Sequence, residues 1–281
     1  MSYETSKEML LVAQKGRYAV AAFNAENMEM VIAIIEKAEE MRAPVMIQTT
    51  PSTLKYASPA IYYAMVKTLA EKAEVPVCMH LDHGNSVALV GECLRSGYSS
   101  VMIDGSKLVL EENIALTKEA ASAAAKYGVS VEGELGSVGG KEDDTVGGNG
   151  YTIPSEAVRF VKETGVDSLA VGIGTAHGIY KTTPVLDVER LKQIRAVVNI
   201  PLVLHGASGL SDQAVAECIA NGICKVNIAT ELRQAYTEGV REFLVGDRDA
   251  FDPKKYGKAA IERVKAVVEK KILMCGCQGK A

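Results

Sequence analysis

Along the chain, short β-rich runs recur at regular intervals, and each is followed by a segment whose apolar positions return every three or four residues. The runs are "YAVAAFN" (18–24), "PVMIQTT" (44–50), "PVCMHLD" (76–82), "SSVMIDG" (99–105), "VSVEGEL" (129–135), "DSLAVGI" (167–173), "PLVLHGA" (201–207) and "CKVNIAT" (224–230). Between them lie segments such as "ENMEMVIAIIEKAEEMR", "SPAIYYAMVKTLAEKA", "EENIALTKEAASAAAKYG" and "LSDQAVAECIANG", with polar starts and with Gly128 and Gly222 as stops. Apolar spacing of this kind predicts helices, and strands alternating with helices predict parallel βαβ units. Eight such units fit a (β/α)8 TIM barrel, with the segment after the eighth strand as a C-terminal helical extension. A doubly wound open sheet is the rival, but no G-x-G-x-x-G follows the first strand. The expectation is one domain over 1–281.

Composition changes this picture little. The 281 residues are 48% hydrophobic and 23% charged, with a formal net charge of -4 and mixed signs. That balance argues against nucleic acid or a membrane as partner. No apolar run has the length of a membrane span, and "MSYETSKEMLLVAQKGRY" reads as an amphipathic helix and not a signal, so a cytoplasmic location is expected. The six cysteines lie scattered in apolar patterns and call for no disulfide framework. Cys275 and Cys277 read as part of the tail rather than as half of a metal site.

Candidate chemistry gathers where a barrel keeps it, at the C-terminal strand ends. Asn24, Thr49, Thr50, Asp82, His83, Asp104, Glu132, Glu134, His177, His205, Asn227 and Thr230 all fall at or just past such an end. The four histidines of the chain share this face. His83, His177 and His205 follow strands three, six and seven and can converge from different sides. Three imidazoles with one open position form the ligand set of a catalytic zinc. His80 lies two residues before Asp82, one layer deeper on the same face, and reads as packing or support. Asp82 is placed to move a proton beside the metal, the alternatives being a solvated strand end or an imidazole-orienting group. Asp104 and Glu132 are candidate secondary metal contacts or hydrogen-bond partners of the ligands.

Two loops bear on the substrate. "HGASGLSD" after strand seven and "NIATEL" after strand eight place small residues before a helix start, which makes a cradle for phosphate. "GSVGGKEDDTVGGNGYT" (136–152) is long, glycine-rich and carries Glu142, Asp143 and Asp144, as expected of a lid able to bring an acid into the site.

The motifs "HLDHG", "VMIDGS", "VEGELGSVGGKEDD", "GTAHGIYK", "PLVLHGASG" and "KVNIATE" together resemble the class II ketose-bisphosphate aldolases, in the branch acting on fructose and tagatose 1,6-bisphosphate. The resemblance spans nearly the whole chain. It implies that His83, His177 and His205 bind Zn2+ and that Asp82 takes the C4 hydroxyl proton as the C3–C4 bond breaks. Glu142 would handle the proton on the three-carbon fragment, giving dihydroxyacetone phosphate and glyceraldehyde 3-phosphate. Gly178, Gly206, Ala207, Ser208, Asn227, Ile228, Ala229 and Thr230, with Asn24 and Thr50, match substrate- and phosphate-binding positions. A monovalent cation, Na+ or K+, and a homodimer or homotetramer are also implied. Ala229 stands where many fructose-type members carry a polar residue, which favours tagatose over fructose 1,6-bisphosphate by one residue; another phosphorylated ketose or deoxy-keto acid is the alternative. Rival readings are a Schiff-base aldolase, a zinc hydrolase and a non-catalytic sugar-phosphate binder.

Overall fold

The structure is a computed structural model that describes residues 3–142, 145–147, 150–178 and 184–281, with only the backbone described for 140–142 and 145–147. Strands and helices alternate from β1 (Val20–Asn24), α2 (Met28–Glu40) and β2 (Val45–Thr49) through β3 (Val77–Gly84), β4 (Ser100–Ile103) and β5 (Ser130–Leu135). They continue with β8 (Ser168–Val171), β10 (Leu202–Leu204) and β11 (Ile223–Ile228). These strands close into a parallel barrel in the order β1-β11-β10-β8-β5-β4-β3-β2, the (β/α)8 architecture that the periodicity predicts. Every described position of the first four barrel strands except His83 is buried, because parallel strands are covered by side chains on the inside and helices on the outside.

Local signals set the element ends. Asn27 caps α2 by accepting from the Met30 amide, and Ser86 and Ser211 cap α5 (Val87–Ser96) and α9 (Asp212–Ala220) in the same way. The helical segment after β2 forms as two pieces, α3 (Pro51–Tyr56) and α4 (Pro59–Ala70), because Pro59 has no amide to continue the first and forces Ser58 extended. The N-terminal segment forms α1 (Ser6–Gly16), which closes the floor of the barrel: the Ser6 amide donates to Ser130 Oγ at 3.1 Å.

The region 136–152, expected as a loop, instead contains a short hairpin of β6 (Gly139–Glu142) and β7 (Thr145–Gly147). β6 also pairs in parallel with β9 (Ala176–His177), Gly140 opposite His177. Backbone pairing with the segment that carries His177 supplies the partner that a loop reading lacks. Asp143 and Asp144, and the side chain of Glu142, lie outside the described residues.

After β11, α10 (Thr230–Gly246) and α11 (Pro253–Cys275) form the C-terminal helical extension, packed on each other, with α11 also against α2. Cys275 and Cys277 are buried there as free thiols, and the Cys275 carbonyl accepts from the Ala19 amide at 3.0 Å. Among the described residues no helix is long and apolar enough to cross a membrane.

Candidate active site

Strand β3 runs two residues beyond its predicted end, and its last turn is irregular. Its pairing with β4 shifts between Leu81 and Gly84, and His83 takes a left-handed backbone with φ of 48°. A non-glycine residue there carries strain of about 1–3 kcal/mol, held in place by its surroundings. Gly84 fits the bulge because a Cβ on it would lie 2.3 Å from the Met102 carbonyl oxygen. The twist turns His83 toward the mouth beside Asp82, so two adjacent residues both face the site.

There the three predicted histidines meet. The ring of His83 lies 5.1 Å from that of His177 and 4.7 Å from that of His205, and one nitrogen of each falls within 4.8 Å of the others. His83 Nε2 and His205 Nδ1 are 2.9 Å apart. Their outer nitrogens are engaged: Asp104 Oδ2 is 2.9 Å from His83 Nδ1, and Glu132 Oε1 is 2.9 Å from His205 Nε2. Both carboxylates are acceptors, so each imidazole carries its proton outward and presents a lone pair inward. Two lone pairs facing at this distance fit a shared cation, and carboxylates behind the histidines are the usual support of metal ligands.

Charges around the histidines fit the same picture. Burial alone would raise Glu132, but the ammonium of Lys225 at 2.8 Å and the His205 hydrogen bond hold it well below the usual carboxylate range. Asp104 is likewise held low against burial by its bond to His83. Burial lowers His205, keeping it neutral. Glu134 is the exception: burial first, then the charge of Asp104, push it up to about 8. Its Oε2 is buried without a hydrogen-bond partner among the described residues, 3.9 Å from His83 Nδ1 and 3.7 Å from His205 Nδ1. An orphaned carboxylate oxygen this close to the histidines again fits a cation, and His83, Asp104 and Glu134 form a second possible ligand group.

Asp82 is fully buried, and among the described residues it is amides, not a lysine or arginine, that hold it. Asn24 Nδ2 donates to Oδ2 at 2.9 Å and Asn227 Nδ2 donates to Oδ1 at 3.1 Å. Asn24 is itself fixed by Gln48, whose Nε2 donates to Asn24 Oδ1 at 2.9 Å. The carboxylate therefore has one orientation, with Oδ1 3.9 Å from His83 Nε2.

The two loops expected to hold phosphate converge as well. His177, Gly178, Gly206, Ser208, Asn227, Ala229, Thr230 and Arg233 line one small cavity. Ala229 precedes α10 and offers no side-chain cap, so the Thr230 and Glu231 amides at the start of this 17-residue helix are candidate anion donors beside that cavity, while those of Leu232 and Arg233 donate to the Ala229 carbonyl. Ala207 and Ile228 have side chains in the core and can offer only backbone. Thr50 is buried, and its hydroxyl caps α3.

Three participants were not singled out by sequence: Gln48, Lys225 and Arg233, while Glu134 was placed at a strand end without a role. Strand alternation signals the first two. Gln48 pairs in register with His80, and Lys225 shares a strand face with Asn227, so both point into the barrel. Glu134 is two residues past Glu132 on the same face. Arg233, one turn into α10, is placed by its ion pair with Glu26, whose carboxylate accepts from Nε at 2.7 Å.

Comparisons with known proteins agree with this geometry. The sequence pattern of the family described as fructose-bisphosphate aldolase class-II matches residues 4–280. The YdjI aldolase of Escherichia coli K12 is 38% identical, each chain covered over 99%, with a TM-score of 0.90. A protein of Coccidioides immitis described as a candidate fructose-1,6-bisphosphate aldolase is 30% identical, with 99% of this chain and 98% of that one covered and a TM-score of 0.91. A fructose-bisphosphate aldolase of Campylobacter jejuni, 22% identical with a TM-score of 0.86, shares the fold. The chain, with its three converging histidines and its closed parallel barrel, belongs to the class II fructose-bisphosphate aldolase family.

Proposed function

We propose that this aldolase cleaves a ketose 1,6-bisphosphate, tagatose or fructose 1,6-bisphosphate, to dihydroxyacetone phosphate and glyceraldehyde 3-phosphate, with Zn2+ held by His83, His177 and His205. The observation that carries the reading is the meeting of three imidazoles, those of His83 and His205 with their lone pairs turned inward, beside an immobilised Asp82. Three imidazole nitrogens suit zinc better than the oxygen-seeking Mg2+ or Ca2+. When bound, the ion supplies Lewis-acid polarisation of the substrate carbonyl.

The chain's own groups do the rest. Asp82 accepts the C4 hydroxyl proton; the C4–O bond becomes a carbonyl as the electron pair of the C3–C4 bond passes to the three-carbon fragment. Asn24 and Asn227 keep the accepting oxygen aimed, which is what positioned proton transfer requires. Glu142 returns a proton to C3 of the original ketose, a role that rests on its match to the family motif. Gly178, Gly206, Ser208 and the α10 amides hold a phosphate, with Arg233 supplying a cation at the cavity wall. A monovalent cation near these loops, a homodimer or homotetramer, a cytoplasmic location and a single domain over 1–281 belong to the same reading.

Ala229 favours tagatose 1,6-bisphosphate, whereas the description of the Coccidioides immitis relative favours the fructose sugar. A Schiff-base route finds no support at Lys225, which is buried and ion-paired to Glu132 and so is not a free amine nucleophile. The test is a coupled cleavage assay on both bisphosphates, before and after chelation and with zinc restored. Turnover that vanishes with chelator and returns with zinc supports the reading. Full turnover in chelator, with trapping of substrate by borohydride, overturns it.

A further inference from the structure

The metal-facing end of His205 is one end of a longer buried chain of polar groups. Below Glu132, the Lys225 ammonium that bonds Oε2 at 2.8 Å also lies 3.3 Å from His80 Nε2. His80 Nδ1 is 2.7 Å from Ser100 Oγ, which is 2.7 Å from Ser6 Oγ, which is 2.7 Å from Ser130 Oγ. The Ser130 hydroxyl reaches the Ser99 carbonyl at 3.3 Å. All of these side chains are buried, so the chain runs along the dry barrel interior from the mouth to α1 at the floor.

Its polarity is set at the floor. The Ser99 carbonyl can only accept, so Ser130 donates to it and accepts from Ser6; Ser6 accepts from Ser100, and Ser100 accepts from His80 Nδ1–H. His80 is thereby left with Nε2 as an acceptor, and the acceptor meets Lys225. Burial and the adjacent ammonium keep His80 neutral, in agreement with that direction. Lys225 donates in turn to Glu132, whose other oxygen is then free to accept from His205 Nε2–H.

We infer that Lys225, seated by His80, is a positioning residue for the metal site: it fixes Glu132 as the acceptor that holds His205 in the tautomer whose Nδ1 faces His83. The inference rests on the reading of His205 as a metal ligand. It gives His80 a place, as the group that anchors the ammonium from below, and explains why a lysine sits in the centre of an apolar strand.

The test uses the full chain and two readouts other than turnover. One is Co2+ affinity, measured by competition with a chromogenic chelator; the other is the imidazole 15N shift of His205 in metal-free protein, which reports its tautomer. Wild type is expected to show the Nε2–H form alone. Lys225→Met is expected to lose about tenfold or more in Co2+ affinity, the usual cost of disturbing the groups behind a ligand, and to lose the single tautomer. Wild-type affinity and tautomer in Lys225→Met, beside lost affinity in His205→Ala, overturn this inference alone. Unchanged affinity in His205→Ala overturns the ligand assignment and this inference with it. If Lys225→Met does not fold, Lys225→Met/Glu132→Gln is compared with Glu132→Gln, where the Glu132 carboxylate charge is gone from both. Because Lys225 acts through the Glu132 charge, the two should agree within about twofold, and a further tenfold loss in the double variant contradicts the inference.

Discussion

Asp82, in the role proposed for it, shows how little of a side chain's behaviour lies in the group itself. A buried carboxylate needs its lone pairs satisfied, and here two amides do this without supplying a charge that would tie up the proton-accepting oxygen. Gln48 stands behind one of them, and Gln48→Leu leaves Asn24 free to rotate. We predict that this variant lowers kcat about tenfold with KM and zinc content little changed, measured by steady-state cleavage and metal analysis. Arg233 acts on binding instead: Arg233→Ala should raise KM for the bisphosphate about tenfold or more, since one charge-assisted bond to a phosphate is lost, and leave kcat near wild type. The buried pair of Lys225 and Glu132 carries a stability consequence. Lys225→Met leaves Glu132 charged and alone, at a cost of about 3–5 kcal/mol in denaturant unfolding.

At the scale of elements, the end of β3 is the critical piece. Its bulge is built on the close passage of Gly84 over Met102, so Gly84→Ala must push the strand end away. A loss of about 1–3 kcal/mol in stability together with weakened metal binding is expected, because His83 sits on the same turn. This bulge was not legible in the sequence. Alternation alone places His80 and Asp82 on one face and His83 on the other, and only the register shift against β4 brings His83 round. The barrel itself was legible, since each strand is a bounded apolar run and each helix announces itself by spacing and cap. The hairpin in 136–152 was hidden because its stabilisation comes from pairing with β9, distant in sequence. Gln48 and Lys225 were hidden for a related reason: their partners lie on other strands, so one strand's pattern shows only that a polar group is buried.

The whole molecule encloses all six of its cysteines. Burial pushes the thiols of Cys78, Cys93 and Cys218 up to about 12, and those of Cys224 and Cys277 to about 11. At about pH 8 the native thiols should therefore resist alkylation, and unfolding should expose them all to it. The folded values lie above the ordinary 9.0, so the stability linked to them is complete below that pH and is lost as pH climbs toward 11 and 12. Rapid native labelling at a buried position would contradict the packing of α11 and the outer helices. The same enclosure lets the barrel hold charged groups at its dry centre, with the histidine face open to the cavity beside α10. In the proposed mechanism, what joins the two is Asp82, beside the three converging histidines and held by Asn227 of the cavity wall. The most direct measurement is the cleavage rate of zinc-loaded Asp82→Asn, with bound zinc determined on the same sample. A full complement of zinc with a rate lower by about two to four orders of magnitude is the predicted result, and a full complement with the wild-type rate would contradict the role of Asp82 in proton transfer.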